Sequence, residues 1–532
     1  HGHPAEGDET DMRIGQAHEL NGEAEDTIEQ QEEPGDQPGA ARLAGQPPEQ
    51  REEHHPLQGE LVERRGVARL RPHVRKGHRP GQLTDPARQL KKISKLVWDY
   101  ALPAIVGTMV NATYNIVDRI FIGQGVGALA ISGLAITFPV MNLTSAIGML
   151  VGAGAASRIS INLGKKNPER AEKILGNSFL LTIVLNLVFM TLLMIFLEPI
   201  LMAFGASEDT FPYARDYLQI ILPGNIFMTM TFSFNNMMRA SGYPKKAMYT
   251  MLIGAALNII LDPIFIFVFD LGIAGVAWAT VISMFIGMLF VMYHFTRKTT
   301  TLRLRRKNIR FEKDILIAIV SIGLSPFLMQ LTASAVAVLM NTSLKFYGGD
   351  LAIGAFGILN SMFMIIVMFV IGLNQGLQPI IGYNHGAEVY SRVKETFYYG
   401  LKIATIVTSL GFVFGMFFPR LFAKAFTSDV ELLDLAENAM RIAIIAFPLV
   451  GFQVVTSGYF QSIGQAKKSI AMSLSRQVFF LIPSIIFLPR FFGLDGAWAS
   501  ISVSDALASI LALIFFIRQR KILNQLIKLE RL

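Results

Sequence analysis

The sequence predicts an all-α membrane protein with twelve transmembrane helices in two parallel, pseudo-symmetric six-helix lobes. Three observations carry this. Twelve apolar segments are long enough to cross a bilayer, which takes about 20 mostly apolar residues each. Lys and Arg collect on alternate connections. The second half of the chain repeats motifs of the first at a nearly constant offset.

The apolar segments run over residues 97–123, 128–157, 173–200, 213–237, 247–269, 273–296, 314–344, 351–381, 397–418, 437–460, 468–490 and 494–517. They lie in a chain of 532 residues that is 52% hydrophobic and only 17% charged. Soluble domains usually carry about 25% charged residues. If the first helix starts at the cytoplasm, the cytoplasmic segments hold 27 Lys and Arg and the external ones six: Arg215, Lys345, Arg420, Lys424, Arg441 and Arg490. That is the positive-inside pattern, and it leaves both termini basic and cytoplasmic. The predicted location is a bacterial cytoplasmic membrane, crossed many times.

The longest cytoplasmic connection, Arg297–Lys313, falls midway and divides the chain into an N-lobe (93–300), a linker (301–312), a C-lobe (313–517) and a basic tail (518–532). Leu129-Ala130-Ile131 recurs as Leu351-Ala352-Ile353. Gly154, Asn162 and Gly164 recur as Gly376, Asn384 and Gly386, and Gly242, Lys245 and Lys246 as Gly464, Lys467 and Lys468, all at an offset of 222. Gly272 and Gly275 match Gly493 and Gly496 at 221. Six helices return the chain to its starting side, so the repeats are parallel, a plan used for alternating access.

Residues 1–92 are a different kind of chain. The first 90 hold 18 acidic and 11 basic side chains, seven of the nine histidines, and no Phe, Tyr or Trp. Such a segment cannot bury enough apolar surface to offset ordering entropy, so disorder is expected. Ten of its basic residues are Arg and one is Lys, and it begins without Met. It reads as a non-native head, a mis-assigned frame or fusion scar, against the plainer reading of a native cytoplasmic tail. Intact mass from the native source separates the two. His1, His3, His54 and His55 fit no closed metal site by spacing. The chain has no cysteine, which removes disulfides, thiolate zinc sites and cysteine nucleophiles.

An ionisable group inside a bilayer costs roughly 2.5–3.5 kcal/mol at the helix centre and normally faces a cavity. The deep candidates are Asp118, Asp262, Arg476 and Asp505. Asn258 and Asp262 are four apart and share a helix face. Pro263 has no N–H, so the Ile259 carbonyl loses its helical partner. A carboxylate, an amide oxygen and a loosened backbone suit Na⁺, and equally a carboxyl that takes up a proton. The repeat supplies a control: the second-half counterparts of Asp118, Asn258 and Asp262 are Met340, Phe480 and Ser484. One ion site, in the first lobe, is therefore expected.

Arg119 reads as a structural residue that snorkels outward or pairs with a carboxylate. Arg476 is read either as a contact for anionic substrate or as a partner for a neighbouring helix, and Asp505 either as a cavity residue or as structure. Asn374, Gln375 and Gln378 place three amides in the eighth helix, where they can line a polyspecific cavity. Tyr114 joins them as a cavity candidate. Pro103 and Pro263 are candidate hinges. No phosphate-cradling glycine loop appears, which argues against ATP. The body has only His294 and His385, and no Ser-His-Asp set. No enzyme activity, cofactor or nucleic-acid partner is expected.

Five stretches then resemble one family. They are Tyr114 to Asp118, Gly242-Tyr243-Pro244-Lys245-Lys246-Ala247, Asn258 to Pro263, Gly272-Ile273-Ala274-Gly275, and Gln375 to Ala387. Over residues of about 93–525 the chain resembles the multidrug and toxic compound extrusion (MATE) family, in its DinF-like and MepA-like bacterial branch. The resemblance implies two lobes forming a V around a central cavity. It implies a secondary antiporter that exports amphipathic, cationic compounds in exchange for Na⁺ or H⁺; a monomer is expected. It also implies an ion site of a first-helix Asp, a fifth-helix Asn and Asp, and a sixth-helix Thr, here Asp118, Asn258, Asp262 and Thr280. NorM-like members add deep carboxylates in helices seven and ten; this chain has only Glu437, at a helix start. A lipid-linked oligosaccharide flippase of the same superfamily is the alternative, and it would need a strongly basic cavity.

Overall fold

The computed structural model describes residues 92–531, so the expectations for the head lie outside the described residues. Helix α1 spans Ile93–Gly125, α2 Ala128–Gly164, α3 Pro168–Ile195, α4 Phe211–Ala240, α5 Pro244–Pro263 and α6 Gly272–Thr296. The helix Lys313–Gly386 breaks at Gly349 into α7 (313–348) and α8 (350–386). Then come α9, Tyr390–Phe417, and α10, in which Val430–Ala443 and Phe447–Ser462 meet at 54°. Gly493 divides the last long run, 466–531, into α11 (466–492) and α12 (494–531). Short helices Leu197–Ala203 and Pro419–Ala423 follow α3 and α9. Every spanning segment expected from the sequence is present among the described residues.

The helices outrun their apolar segments at the end where the basic residues collect, here termed the basic end. Helix α2 continues seven residues past 157, and α12 continues through the expected tail to Arg531. Helical hydrogen bonds are internal, so a helix need not stop where the hydrocarbon does. Helix α3 starts early because Pro168 occupies its first turn and the Asn167 side chain accepts from the Arg170 amide at 3.0 Å.

The repeat is written into the backbone. Residues with positive φ pair off at the sequence offset: Gly127 (117°) with Gly349 (68°), Lys166 (56°) with Glu388 (62°), Gly242 (98°) with Gly464 (80°), and Gly272 (55°) with Gly493 (57°). Gly127 and Gly349 make the turn between the first two helices of each half, where a side chain would be strained.

The apolar side chains form three cores. One draws on both halves, joining Val97, Val151 and Phe234 to Ile319, Leu377 and Tyr459, and it lies toward the basic end. The other two are confined to single halves: Ile122, Tyr217 and Ile273 in the first, Met340, Phe447 and Trp498 in the second. The lobes thus share a core at the basic end and keep separate cores at the other, the two arms of a V. Large apolar residues such as Phe346, Val268 and Phe491 remain exposed, as lipid-facing positions must.

Where the arms join, backbones approach to within a side chain's thickness. A Cβ on Gly164 would lie 2.1 Å from the Tyr383 carbonyl oxygen, and one on Gly386 would lie 2.0 Å from that of Ile161. These are reciprocal contacts, because 161 pairs with 383 and 164 with 386 in the repeat. Helices α2 and α8 therefore cross on the pseudo-two-fold axis. To either side, Gly323 of α7 meets Leu150 of α2, and Gly372 and Gly376 of α8 meet Ile105 and Ala101 of α1. Small residues allow such approaches between membrane helices. Hydrogen bonds close the same seam: Ser157 Oγ donates to the Gln461 carbonyl (2.8 Å) and Thr108 Oγ1 to the Met368 carbonyl (3.2 Å). Nearer mid-span, Gln330 Nε2 donates to Asn142 Oδ1 (3.2 Å).

Candidate functional site

Four side chains from three helices converge inside the first lobe. Asp118 and Thr280 lie seven and eight residues from the non-basic ends of α1 and α6, roughly 10–12 Å into the span. Asn258 and Asp262 sit one turn apart on the same face of α5. All four are buried, with exposures of 8% (Asp118), 2% (Asn258), 0% (Asp262) and 7% (Thr280). The Asn258 amide donates to Asp262 Oδ1 at 3.1 Å and to Thr280 Oγ1 at 3.2 Å. The Asp118 and Asp262 carboxyls are neighbours, close enough for one to donate a proton to the other.

This leaves a distinctive deficit. Asp118 Oδ1, Asp262 Oδ2 and Asn258 Oδ1 are buried without a hydrogen-bond donor. Three orphaned acceptors in one place are costly, since each unpaired buried polar group loses its solvation. The donor set is all oxygen and carries up to two negative charges, which is the chemistry of a hard cation or of protons.

Local sequence explains the site. Pro263 ends the α-helical part of α5, and the five residues Ile264–Val268 form a π-helical turn, with the Phe269 amide bonded to the Ile264 carbonyl at 3.1 Å. Asp262 thus stands next to the end of the regular helix, with Pro263 between it and the irregular segment, where helical hydrogen bonds are already incomplete. Pro103, the other proposed hinge, lies within the continuous helix α1.

One neighbour was not singled out from the sequence. Tyr217 of α4, 5% exposed, lies within electrostatic reach of Asp118, Asp262 and Tyr114. Farther along α4, Asn225 is buried with its side-chain oxygen unpartnered. The signal was available: α4 buries Asn225, Thr229, Ser233, Asn235, Asn236 and Arg239, an excess of polar groups for a membrane helix.

The remaining candidates scatter. Tyr114 is half-buried on α1, and Arg119 is exposed. Asn374 fills the space beside Gly458, where a Cβ would lie 2.0 Å from its Oδ1. Gln375 keeps a buried oxygen without a donor. Gln378 donates to the Ala153 carbonyl at 3.3 Å and so belongs to the seam between lobes. Arg476 of α11 donates through Nε to Asp505 of α12 at 2.6 Å. Glu437 pairs with Arg420 and Arg441 at the outer surface of α10.

The MatE family profile matches residues 103–264 and again 324–486, more than half of the chain, in two copies that begin 221 residues apart. The chain belongs to the MatE family. This makes it a multi-pass membrane transporter, not an enzyme. The MatE relative Multidrug export protein MepA of Staphylococcus aureus is 28% identical over 436 residues, covering 80% of this chain and 95% of that protein. MepA of Staphylococcus haemolyticus gives the same identity over the same length, 94% of its own chain. Among solved structures, an outward-facing multidrug resistance MATE transporter of the MOP superfamily superposes with a TM-score of 0.77 at 24% identity, covering 82% of this chain and 97% of that one. A MOP-superfamily transporter from Pyrococcus furiosus gives 0.77 and 24%, covering 86% and 99%. At these identities the structures establish the MatE fold alone.

Proposed function

We propose that this protein is a secondary antiporter that exports amphipathic, cationic compounds in exchange for Na⁺ or H⁺ taken up at Asp118, Asn258, Asp262 and Thr280. The observation that carries the reading is the cluster of three buried, donorless oxygens between α1, α5 and α6. A proton shared by the two carboxyls, or a cation among the oxygens, supplies what the cluster lacks. The likeness to MepA supports multidrug export. The basic end is read as cytoplasmic, with both termini inside and residues 93–300 and 313–517 as lobes of a monomer.

The steps follow from the arrangement. An ion entering the cluster draws α1 toward α5 and α6. That changes the α1 surface facing the cleft, where Tyr114 lies four residues from Asp118, and favours release of substrate outside. A cationic substrate arriving from the cytoplasm competes for the same negative charge and favours ion loss inward. Coupling of this kind is reciprocal and is set by differential affinity for the two states.

The flippase alternative needs a strongly basic cavity. Arg476 is neutralised by Asp505 and Arg119 is exposed, so the deep bases do not build one.

The test is dye efflux from a drug-sensitive host carrying wild type, Asp118→Asn or Asp262→Asn, each checked for membrane abundance. Efflux is expected to fall about tenfold to a hundredfold in both variants, the usual size of coupling between sites. Collapsing the sodium and proton gradients one at a time identifies the ion. Full efflux by both variants removes these residues from the mechanism.

A further inference from the structure

The second lobe holds a charged pair that the ion cycle above does not use. Asp505 is fully buried in α12, and Arg476 reaches it from α11, with the guanidinium side chain 29% exposed. Both residues lie near mid-span. Only Nε of Arg476 bonds to Asp505, and Asp505 Oδ2 has no donor. The pair therefore fixes one edge of the guanidinium fork and leaves its two terminal nitrogens on the exposed edge. A guanidinium edge at this depth cannot face hydrocarbon without heavy cost, so its exposed side marks a polar, water-accessible space within the span.

The surroundings are polar and irregular. Ser475–Leu481 is a seven-residue π-helical segment, a widening that recurs at functional sites. Within it Gln477, next to Arg476, accepts from Thr332 of α7. One turn toward the basic end, Ser473 bonds to Ser325 (2.8 Å) and Ser457 (3.2 Å), and Ser469 donates to Ser325 (2.9 Å). Gln453 of α10 adds a buried oxygen without a donor. In the first lobe the equivalent positions of Arg476 and Asp505 are Gly254 and Met284, so this is not a relic of the repeat.

We propose that Arg476, held in orientation by Asp505, binds a carboxylate on the transported molecule. The chain would then accept zwitterionic amphiphiles, with the cationic part served by the first lobe and the anionic part by the second. A planar fork with two free nitrogens matches a carboxylate bidentately, and pre-orientation by Asp505 lowers the ordering cost. The proposal rests on the chain being an exporter, and a purely cationic dye controls for that.

The test uses two dyes with one ring system: rhodamine 110, which carries a free carboxyl, and rhodamine 123, its methyl ester. Removing Arg476 alone would strand a buried carboxylate, so the main variant is the neutral pair Arg476→Met with Asp505→Leu, a replacement buried ion pairs commonly tolerate. Export from cells and dye binding to purified protein are measured for both dyes. The expected result is about a tenfold loss for rhodamine 110, in line with one lost charge-assisted contact, with rhodamine 123 within twofold of wild type. Arg476→Lys, which keeps the charge, restores part of the rhodamine 110 signal. Equal loss of both dyes means the pair only supports the fold, and no loss of either means it binds nothing; each overturns the proposal.

Discussion

At the scale of single residues, the proposed ion cluster turns on one amide. Asn258 donates to Asp262 and Thr280 at once, tying α5 to α6. Asn258→Ala removes both bonds and leaves buried Asp262 with Asp118 as its one neighbouring source of a proton. Efflux is expected to fall about tenfold at unchanged membrane abundance, with the coupling-ion dependence moved to higher concentration. Unaltered ion dependence would mean the amide is only a spacer. Asn258→Asp keeps the acceptors and adds charge, so it tightens cation affinity if the ion is Na⁺ and impairs release if it is H⁺; transport in sodium-free buffer separates these. Asp118, Asn258 and Asp262 were readable from the sequence because ionisable groups in apolar segments are rare, and Asn258 stands one turn from Asp262. Thr280 came only with the family resemblance, since a threonine in a membrane helix is unremarkable by itself. The partnership of Arg476 with Asp505 was beyond reach: no spacing rule relates residues on different helices.

At the scale of elements, spans and order were legible, and ends and bends were not. Hydropathy marks hydrocarbon, so it missed the extra turns at the basic end. It also read α10 as one span from 437, whereas the chain bends between Ala443 and Phe447. Pro448 explains this: it has no N–H to offer the Ile444 carbonyl, which accepts from Phe447 instead at 2.9 Å. Glycine packing gives a prediction here. A side chain at Gly323 would start 1.7 Å from the Leu150 carbonyl oxygen, and backbone cannot yield as a side chain can. Gly323→Val should hold α2 and α7 apart, cost about 1–3 kcal/mol as overpacking does, and raise thiol labelling of a nearby cysteine from the basic end. Wild-type labelling in that variant would show that the seam relaxes. Gly357, with open space around it, is the control position.

At the scale of the molecule, the V has one shared core and two private ones. That layout makes the basic end the fulcrum in this state and lets each outer arm move as a packed unit. The native chain has no cysteine, so introduced thiols report alone. Spin labels at Thr113→Cys on α1 and Asn341→Cys on α7, both exposed on the outer arms, are expected to lie farther apart when the coupling ion is abundant and closer when substrate is added without it. An identical distance distribution in both conditions would argue against rocking arms. The repeat made the two halves legible. Their angle was not, because it depends on which helices of opposite halves touch, and a single sequence carries no record of that.

The glycine seam has a consequence for how the pump responds to its surroundings. The contacts that must part there are close backbone approaches and a few uncharged hydrogen bonds such as Ser157 to the Gln461 carbonyl, and the ion pair bridging the halves nearby, Arg170–Asp314, sits at the exposed rim. Separation thus strands no charge and wets mainly apolar surface. Turnover should be nearly flat across ionic strength but steep and curved with temperature, because the work of opening is the hydration of methyl and methylene groups and carries their large heat capacity.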